Sequence, residues 1–189
     1  LLENSINFLT KLGCKNIFIN SFYLSDQIES FIKKRKFKTN VNIIREKKLL
    51  DTGGAIKNIL SYLNCENFLI LNSDVFWLNE NLEDVENLIN NYNKFKQSNL
   101  LLVKKKNAFG LKKNQGDFLL NNEMIQRFKK DDNEVNFYAG CQILNTKVFD
   151  YFSTNKFSLN IVWDHLIEKQ KLKGVIMKSD WFHVGDIEG

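Results

Sequence analysis

Three polar residues interrupt the end of an apolar run in "FLILNSDV", Phe68 to Val75. Phe68 to Leu71 read as a strand buried on both faces, and Asn72, Ser73 and Asp74 as its polar exit. In open parallel sheets, ligands collect at the carboxyl ends of the strands. A carboxylate there can hold a divalent cation, or it can simply cap a turn; spacing alone leaves both open. The second candidate is "LDTGGAI", Leu50 to Ile56, where two adjacent glycines open a helix in a chain with only nine. Gly53 and Gly54 are expected to leave backbone N–H groups bare at a positive helix terminus, close enough to meet a phosphate or a flat base. With Asp74 on the next strand, they outline a nucleotide pocket.

The elements that position these residues follow from periodicity. Leu2, Ile6, Leu9 and Leu12 recur at helical spacing ahead of Gly13. "NIFIN" reads as a buried strand. "SDQIESFIKK" reads as a helix capped by Ser25, with Ile28, Phe31 and Ile32 on one face. "VNII" is a strand, "GGAIKNILSYL" a helix, "NFLIL" a strand and "LEDVENLINNYNKF" a helix with Leu82, Val85, Leu88 and Ile89 inward. Alternation of this kind means βαβ units with helices on both faces. The strand-like runs "NLLLVK", "GDFLL", "MIQRF" and "VNFYAGCQIL" predict antiparallel additions to one side. Two helices, "TKVFDYF" and "NIVWDHLIEKQ", precede closing strands at "GVIMK" and "WFHVG".

Composition narrows the class without naming an activity. Apolar residues make up 43% and charged residues 26% of 189, ordinary for a globular domain, and there is no proline. The net charge of +5 suits an anionic partner. "KKRK", Lys33 to Lys36, closes a helix without interleaved aromatics, so it reads as a solvated helix end and nucleic acid is not an expected partner. No run is apolar and long enough to span a bilayer, so no membrane partner is expected either. Cys14, Cys65 and Cys141 have no metal-ligand spacing. Cys14 and Cys141 read as core residues, and the pattern suits a reducing cytoplasm. His165 reads as a surface residue.

In their order and spacing these segments resemble the sugar-1-phosphate nucleotidyltransferases, among them N-acetylmuramate-1-phosphate uridylyltransferases and mannose-1-phosphate guanylyltransferases. "LDTGGAIKNIL" is similar to the family's Glu-Thr-Gly-Gly-Gly segment, with Asp51 in place of Glu. "FLILNSDVFW" is similar to its Asn-Gly-Asp strand end, with Ser73 in place of Gly, and "WFHVG" to its closing Trp-x-Asp-Val-Gly. "YAGCQILN" and "FSLNIVWDHLIEKQKLKGV" resemble later segments of the uridylyltransferase-like branch.

The resemblance implies a Rossmann-like mixed, mostly parallel sheet with helices on both faces. It also implies transfer of a nucleoside monophosphate from a nucleoside triphosphate to a sugar 1-phosphate. Asp74 would be catalytic and hold Mg²⁺ (or Mn²⁺). Asp51, Thr52, Gly53, Gly54 and Asn72 would lie on the nucleotide side, and Gly140, Asn160 and Asp164 on the sugar side; Trp163 reads as core. The family's second metal-binding Asp is His183 here, and imidazole is a poor Mg²⁺ ligand, so Asp186 is the alternative. The family's Gly-x-Gly-Thr-Arg loop and the strand before it have no counterpart in residues 1–189. The chain is therefore expected to be a single nucleotidyltransferase domain incomplete at both ends, inactive alone. Two other readings stay open: a nucleotide-sugar-dependent glycosyltransferase, and a non-catalytic sugar-nucleotide-binding domain. Base, sugar and oligomeric state are not legible.

Overall fold

The computed structural model describes residues 1–111, 116–128 and 135–185. Among the described residues, helices α1 (Leu2–Lys11), α2 (Ser25–Lys34), α3 (Asp51–Ile59), α4 (Asn81–Phe95) and α5 (Leu159–Glu168) flank eleven strands. The strands are β1 (Asn16–Ser21), β2 (Asn40–Arg45), β3 (Asn67–Leu71), β4 (Val75–Phe76), β5 (Ser98–Lys104), β6 (Ala108–Phe109), β7 (Phe118–Asn121), β8 (Met124–Arg127), β9 (Asn136–Asn145), β10 (Leu172–Ile176) and β11 (Trp181–His183). β1 and β2 pair in parallel across the α2 crossover. A six-stranded mixed sheet runs β3-β9-β5-β10-β8-β7, and β4-β11-β6 form a small third sheet. β9 runs antiparallel to both β3 and β5, while β10 joins β5 in parallel.

Side-chain alternation along β9 builds two apolar layers. Phe137, Ala139, Cys141 and Ile143 face α1 and α4 and pack with Phe8, Val85, Leu88 and Trp77. Tyr138 and Leu144 face α3 and α5 and pack with Val162, Trp163, Phe157 and Phe149. β5 sits between the layers with Leu100 to Val103 at 0% exposure, which is why it reads as an unbroken apolar run.

Several local expectations change. β3 is half-buried along its whole length, not buried on both faces, because β9 is its one partner among the described residues. β1 is likewise half-buried at its centre, Phe18 to Asn20, with Ile17 and Ser21 buried and β2 as its partner. Ser25 is not the cap of α2: Leu24 holds that position at φ 54°, and the Ser25 hydroxyl donates to Phe22 O at 3.2 Å. "TKVFDYF" forms a 3-10 helix over Thr146–Tyr151, with Asn145 as its side-chain cap. His165 is half-buried, its ring 4.5 Å from that of Tyr151. Cys141 is buried, Cys14 half-buried and Cys65 exposed.

Candidate active site

Asp74 lies three residues beyond β3, at the carboxyl end expected for it. The turn that carries it is built against β9. Asn72 N donates to Gly140 O at 2.7 Å. Gly140 has φ +77° and sits where the register of β9 against β5 shifts. A Cβ there would lie 3.0 Å from Asn72 Cβ and 3.1 Å from Val75 Cγ2. Both the backbone angle and the close approach therefore require glycine.

Beyond Asp74 the chain enters β4, which pairs antiparallel with β11 so that His183 faces Val75. Val184 N donates to Asp74 O at 2.8 Å. This register places His183 Nε2 3.5 Å from Asp74 Oδ2. Gly185 leaves room for the ring, since a Cβ there would meet His183 Cε1 at 2.6 Å. Asp74 Oδ1 is shielded from solvent and has no hydrogen-bond partner among the described residues. A buried carboxylate oxygen in that condition carries a desolvation cost that a cation would relieve. Among the described residues no group of three or more His, Cys, Asp or Glu converges on one point. The donor set thus fits a hard cation shared with substrate oxygens and water, not an all-protein cage. Asp186 lies outside the described residues.

The first turn of α4 fixes β11 from behind. Asp84 Oδ1 accepts from Lys178 N at 2.8 Å, and Asp84 Oδ2 accepts from Ser179 N at 3.3 Å and from the Ser179 hydroxyl. Asn81 Nδ2 donates to Ser179 Oγ at 2.7 Å and Asp180 O at 3.0 Å. Trp181 Nε1 donates to Ala139 O at 2.8 Å. Buried polar groups satisfied this fully hold a strand end rigidly, and losing one partner costs about 1–3 kcal/mol.

The double glycine has a different purpose from the one its spacing suggests. Gly53 N and Gly54 N are not bare: both donate to Phe157 O, at 2.9 and 3.0 Å. A Cβ on Gly53 would meet the Phe157 ring at 2.5 Å, and one on Gly54 would meet Asn155 O at 2.2 Å. The glycines admit the loop before α5 rather than a phosphate. Asp51 is exposed at φ +63°, and its Oδ1 accepts from Thr52 N at 2.6 Å. The Thr52 hydroxyl oxygen accepts from Leu159 N at 2.9 Å.

On α5, Asn160 and Asp164 share a partner that the sequence did not single out. Arg127 Nε donates to Asp164 Oδ1 at 2.7 Å, and Arg127 Nη2 to Asn160 O at 3.1 Å and Oδ1 at 3.0 Å. The guanidinium lies 4.9 Å from the Phe118 ring centroid and 5.8 Å from that of Trp163. Trp163 is core, as expected, and its Nε1 donates to Gln142 Oε1 at 2.9 Å. Trp163 also packs edge-on against Tyr138, whose hydroxyl burial pushes well above the ordinary phenol range. No sequence signal marks Arg127, because its partners come from 33 and 37 residues away.

A cleft of about 390 Å³ at the carboxyl ends of β1 and β2 includes Phe22, Leu24, Arg45 and Glu46 but not Asp74. Its charged groups already have partners: Arg45 donates to Asp26 at 2.6 Å and Glu29 at 2.7 Å, and Glu46 accepts from Asn20 Nδ2 and Leu50 N.

The nucleotidyl transferase family profile matches residues 1–189 from end to end. The chain belongs to the nucleotidyl transferase family. Two relatives of this nucleotidyl transferase are similar at the sequence level. It is 25% identical to N-acetylmuramate alpha-1-phosphate uridylyltransferase of Caulobacter vibrioides (strain ATCC 19089 / CIP 103742 / CB 15), over 98% of this chain and 79% of that protein. It is 26% identical to D-glycero-alpha-D-manno-heptose 1-phosphate guanylyltransferase of Aneurinibacillus thermoaerophilus, over 94% and 76% respectively. The inositol-1-phosphate CTP transferase of T. maritima shares the fold, with a TM-score of 0.79 at 15% identity over 98% of this chain and 76% of that one. The nucleotidyl transferase fold accounts for the mixed sheet with helices on both faces.

Proposed function

We propose that this nucleotidyl transferase moves a nucleoside monophosphate from a nucleoside triphosphate to a sugar 1-phosphate, with uridylyl transfer preferred. The observation that carries the reading is Asp74. Its Oδ1 is buried without a partner among the described residues, beyond the carboxyl end of β3, whose exit turn bonds to Gly140 through Asn72 N. In the reaction, a phosphate oxygen of the sugar 1-phosphate attacks the α-phosphorus in line. A new P–O bond forms, the bond to the bridging oxygen breaks, and pyrophosphate leaves with that electron pair. Such chemistry asks the protein chiefly for positioning and charge neutralisation.

Asp74 is the catalytic and metal-holding carboxylate. Asp74 would hold Mg²⁺ (or Mn²⁺), and the cation would supply charge to neutralise the phosphates. Asp51 and Asn72 belong to the nucleotide side, where Gly53 and Gly54 contribute the shape of the turn and Thr52 lies in the same segment. Gly140, Asn160 and Asp164 belong to the sugar side, with Arg127 holding the last two in place. The uridylyl preference draws on the Caulobacter relative, and the guanylyltransferase relative makes GTP the competing donor. The three cysteines are free, which suits a reducing cytoplasm, and among the described residues no helix is long and apolar enough to cross a membrane.

The test is pyrophosphate release by the full-length protein, with UTP, GTP, CTP and dTTP each offered against a panel of sugar 1-phosphates. One pyrophosphate per nucleotide-sugar, fastest with UTP, is expected. Release of a nucleoside diphosphate from a nucleotide-sugar would instead mark a glycosyltransferase. Binding with no turnover for any pair would mark a non-catalytic domain.

A further inference from the structure

Helix α3 grips the loop ahead of α5 along one side. Gly53 N and Gly54 N hold Phe157 O, and Lys57 Nζ donates to Phe152 O and, at 3.4 Å, to Thr154 O. Phe157 N donates back to Leu50 O at 3.2 Å. The last grip is on α5 itself. The first amides of a helix have no partner inside it. Ser158 Oγ takes the amide of Asn160 at 3.3 Å, and Thr52 Oγ1 takes the amide of Leu159 at 2.9 Å. A side chain 107 residues away therefore completes the cap of α5.

We infer that Thr52 is a positioning residue for the sugar side of the site, acting through α5 and not on the nucleotide. The inference rests on the activity proposed above. Thr52 lies in the segment that resembles a nucleotide motif, yet its hydroxyl is engaged with the helix that carries Asn160 and Asp164. Asn160 is the residue after Leu159, and Arg127 links its carbonyl and amide oxygens to Asp164. Without the Thr52 bond, Leu159 N loses its partner and the first turn of α5 loosens. Asn160 and, through Arg127, Asp164 then lose their fixed placement. The GG turn stays docked through Phe157 O, which leaves the nucleotide side in place.

Thr52→Val keeps shape and removes the acceptor, and Thr52→Ser keeps the hydroxyl. In the full-length protein, Thr52→Val is expected to raise the KM for the sugar 1-phosphate about 10-fold, the size of one lost helix-cap bond. The KM for the nucleoside triphosphate should stay within about twofold, and Thr52→Ser should recover most of the loss. A triphosphate KM that rises as much as the sugar KM overturns the inference, as do unchanged constants or no recovery by serine. Amide hydrogen exchange supplies a readout independent of turnover, with amides in α4 as the control for the variant's folding. Leu159 N should be protected in the unliganded wild type and exchange faster in Thr52→Val. Rapid exchange in the wild type overturns the inference. If no substrate pair is turned over, the activity proposal fails alone, and the exchange result still decides whether Thr52 caps α5.

Discussion

His183 Nε2 sits 3.5 Å from Asp74 Oδ2, with the pair set by the β4–β11 register and by the bond from Val184 N to Asp74 O. A carboxylate and an imidazole thus share one side of the proposed reaction centre.

Asp74→Asn removes the charge and leaves the size. The rate of pyrophosphate release should fall at least about 100-fold, because an amide does not neutralise a cation. The β4–β11 pairing uses the Asp74 carbonyl rather than its side chain, so the melting temperature should change little. Turnover within a few-fold of wild type would remove Asp74 from the chemistry.

His183→Asp places two carboxylates side by side, since Asp74 lies against His183 and the setting is half-exposed rather than apolar. Like charges at that distance repel until a cation joins them. The variant should therefore melt lower than wild type in chelator and gain more on adding Mg²⁺. The Mg²⁺/Mn²⁺ rate ratio should also rise, because a hard oxygen ligand replaces imidazole. Equal Mg²⁺-induced shifts in the two proteins, with an unchanged ratio, would place His183 off the metal.

Gly54→Ala should destabilise by about 1–3 kcal/mol or prevent folding, because its Cβ would stand 2.2 Å from a backbone oxygen of Asn155 that cannot step aside. Gly13→Ala is the contrast. Its site has φ +83° and open space, so only the left-handed backbone resists, at about 1–2 kcal/mol. Urea melts of both variants check the ranking. A Gly54→Ala that matches wild type would show that the loop at Asn155 docks loosely.

Cysteine chemistry gives a pH-dependent check. Burial pushes the Cys141 thiol far above its ordinary 9.0, and the Cys14 thiol above it to a lesser degree. Each folded value is raised, so the stability tied to these thiols is fully present below about pH 9. It drains as pH climbs above that, since the unfolded chain releases the proton first. The melting temperature should fall from about pH 9 upward. At neutral pH a thiol reagent should modify exposed Cys65 first and Cys141 only on unfolding. Rapid labelling of Cys141 in the folded protein would contradict its burial.

Periodicity carried most of the architecture. The helices over Leu2, Ser25, Asp51, Asn81 and Leu159 and the Asn136–Asn145 strand follow from apolar spacing, but that strand lies between β3 and β5 and not at one side as expected, because spacing does not carry strand order. The carboxyl-end position of Asp74 followed from the apolar run before it. What spacing does not carry is the partner across space. The apolar run of β3 suggested two covered faces, but coverage depends on neighbouring strands. Gly53 and Gly54 announced a close approach, and only the fold shows that the 155–157 loop makes it. Arg127, Asn81 and Asp84 sit in ordinary amphipathic patterns; their work lies in bonds to distant backbone and side chains.

The grip of Asn81 and Asp84 on the connector before β11 has a kinetic side. Those bonds join residues 94 to 99 positions apart, so they close one of the longest loops in the molecule. Closure at that separation brings no gain until α4 is already docked on the sheet. On that ground His183 is expected to reach Asp74 late in folding and to leave early in unfolding, which pulse-labelled hydrogen exchange at Val184 N would check. A chain can hold its helices and most of its sheet while the imidazole and the carboxylate are still apart, which makes the joining of these two residues a sensitive reporter of the native state.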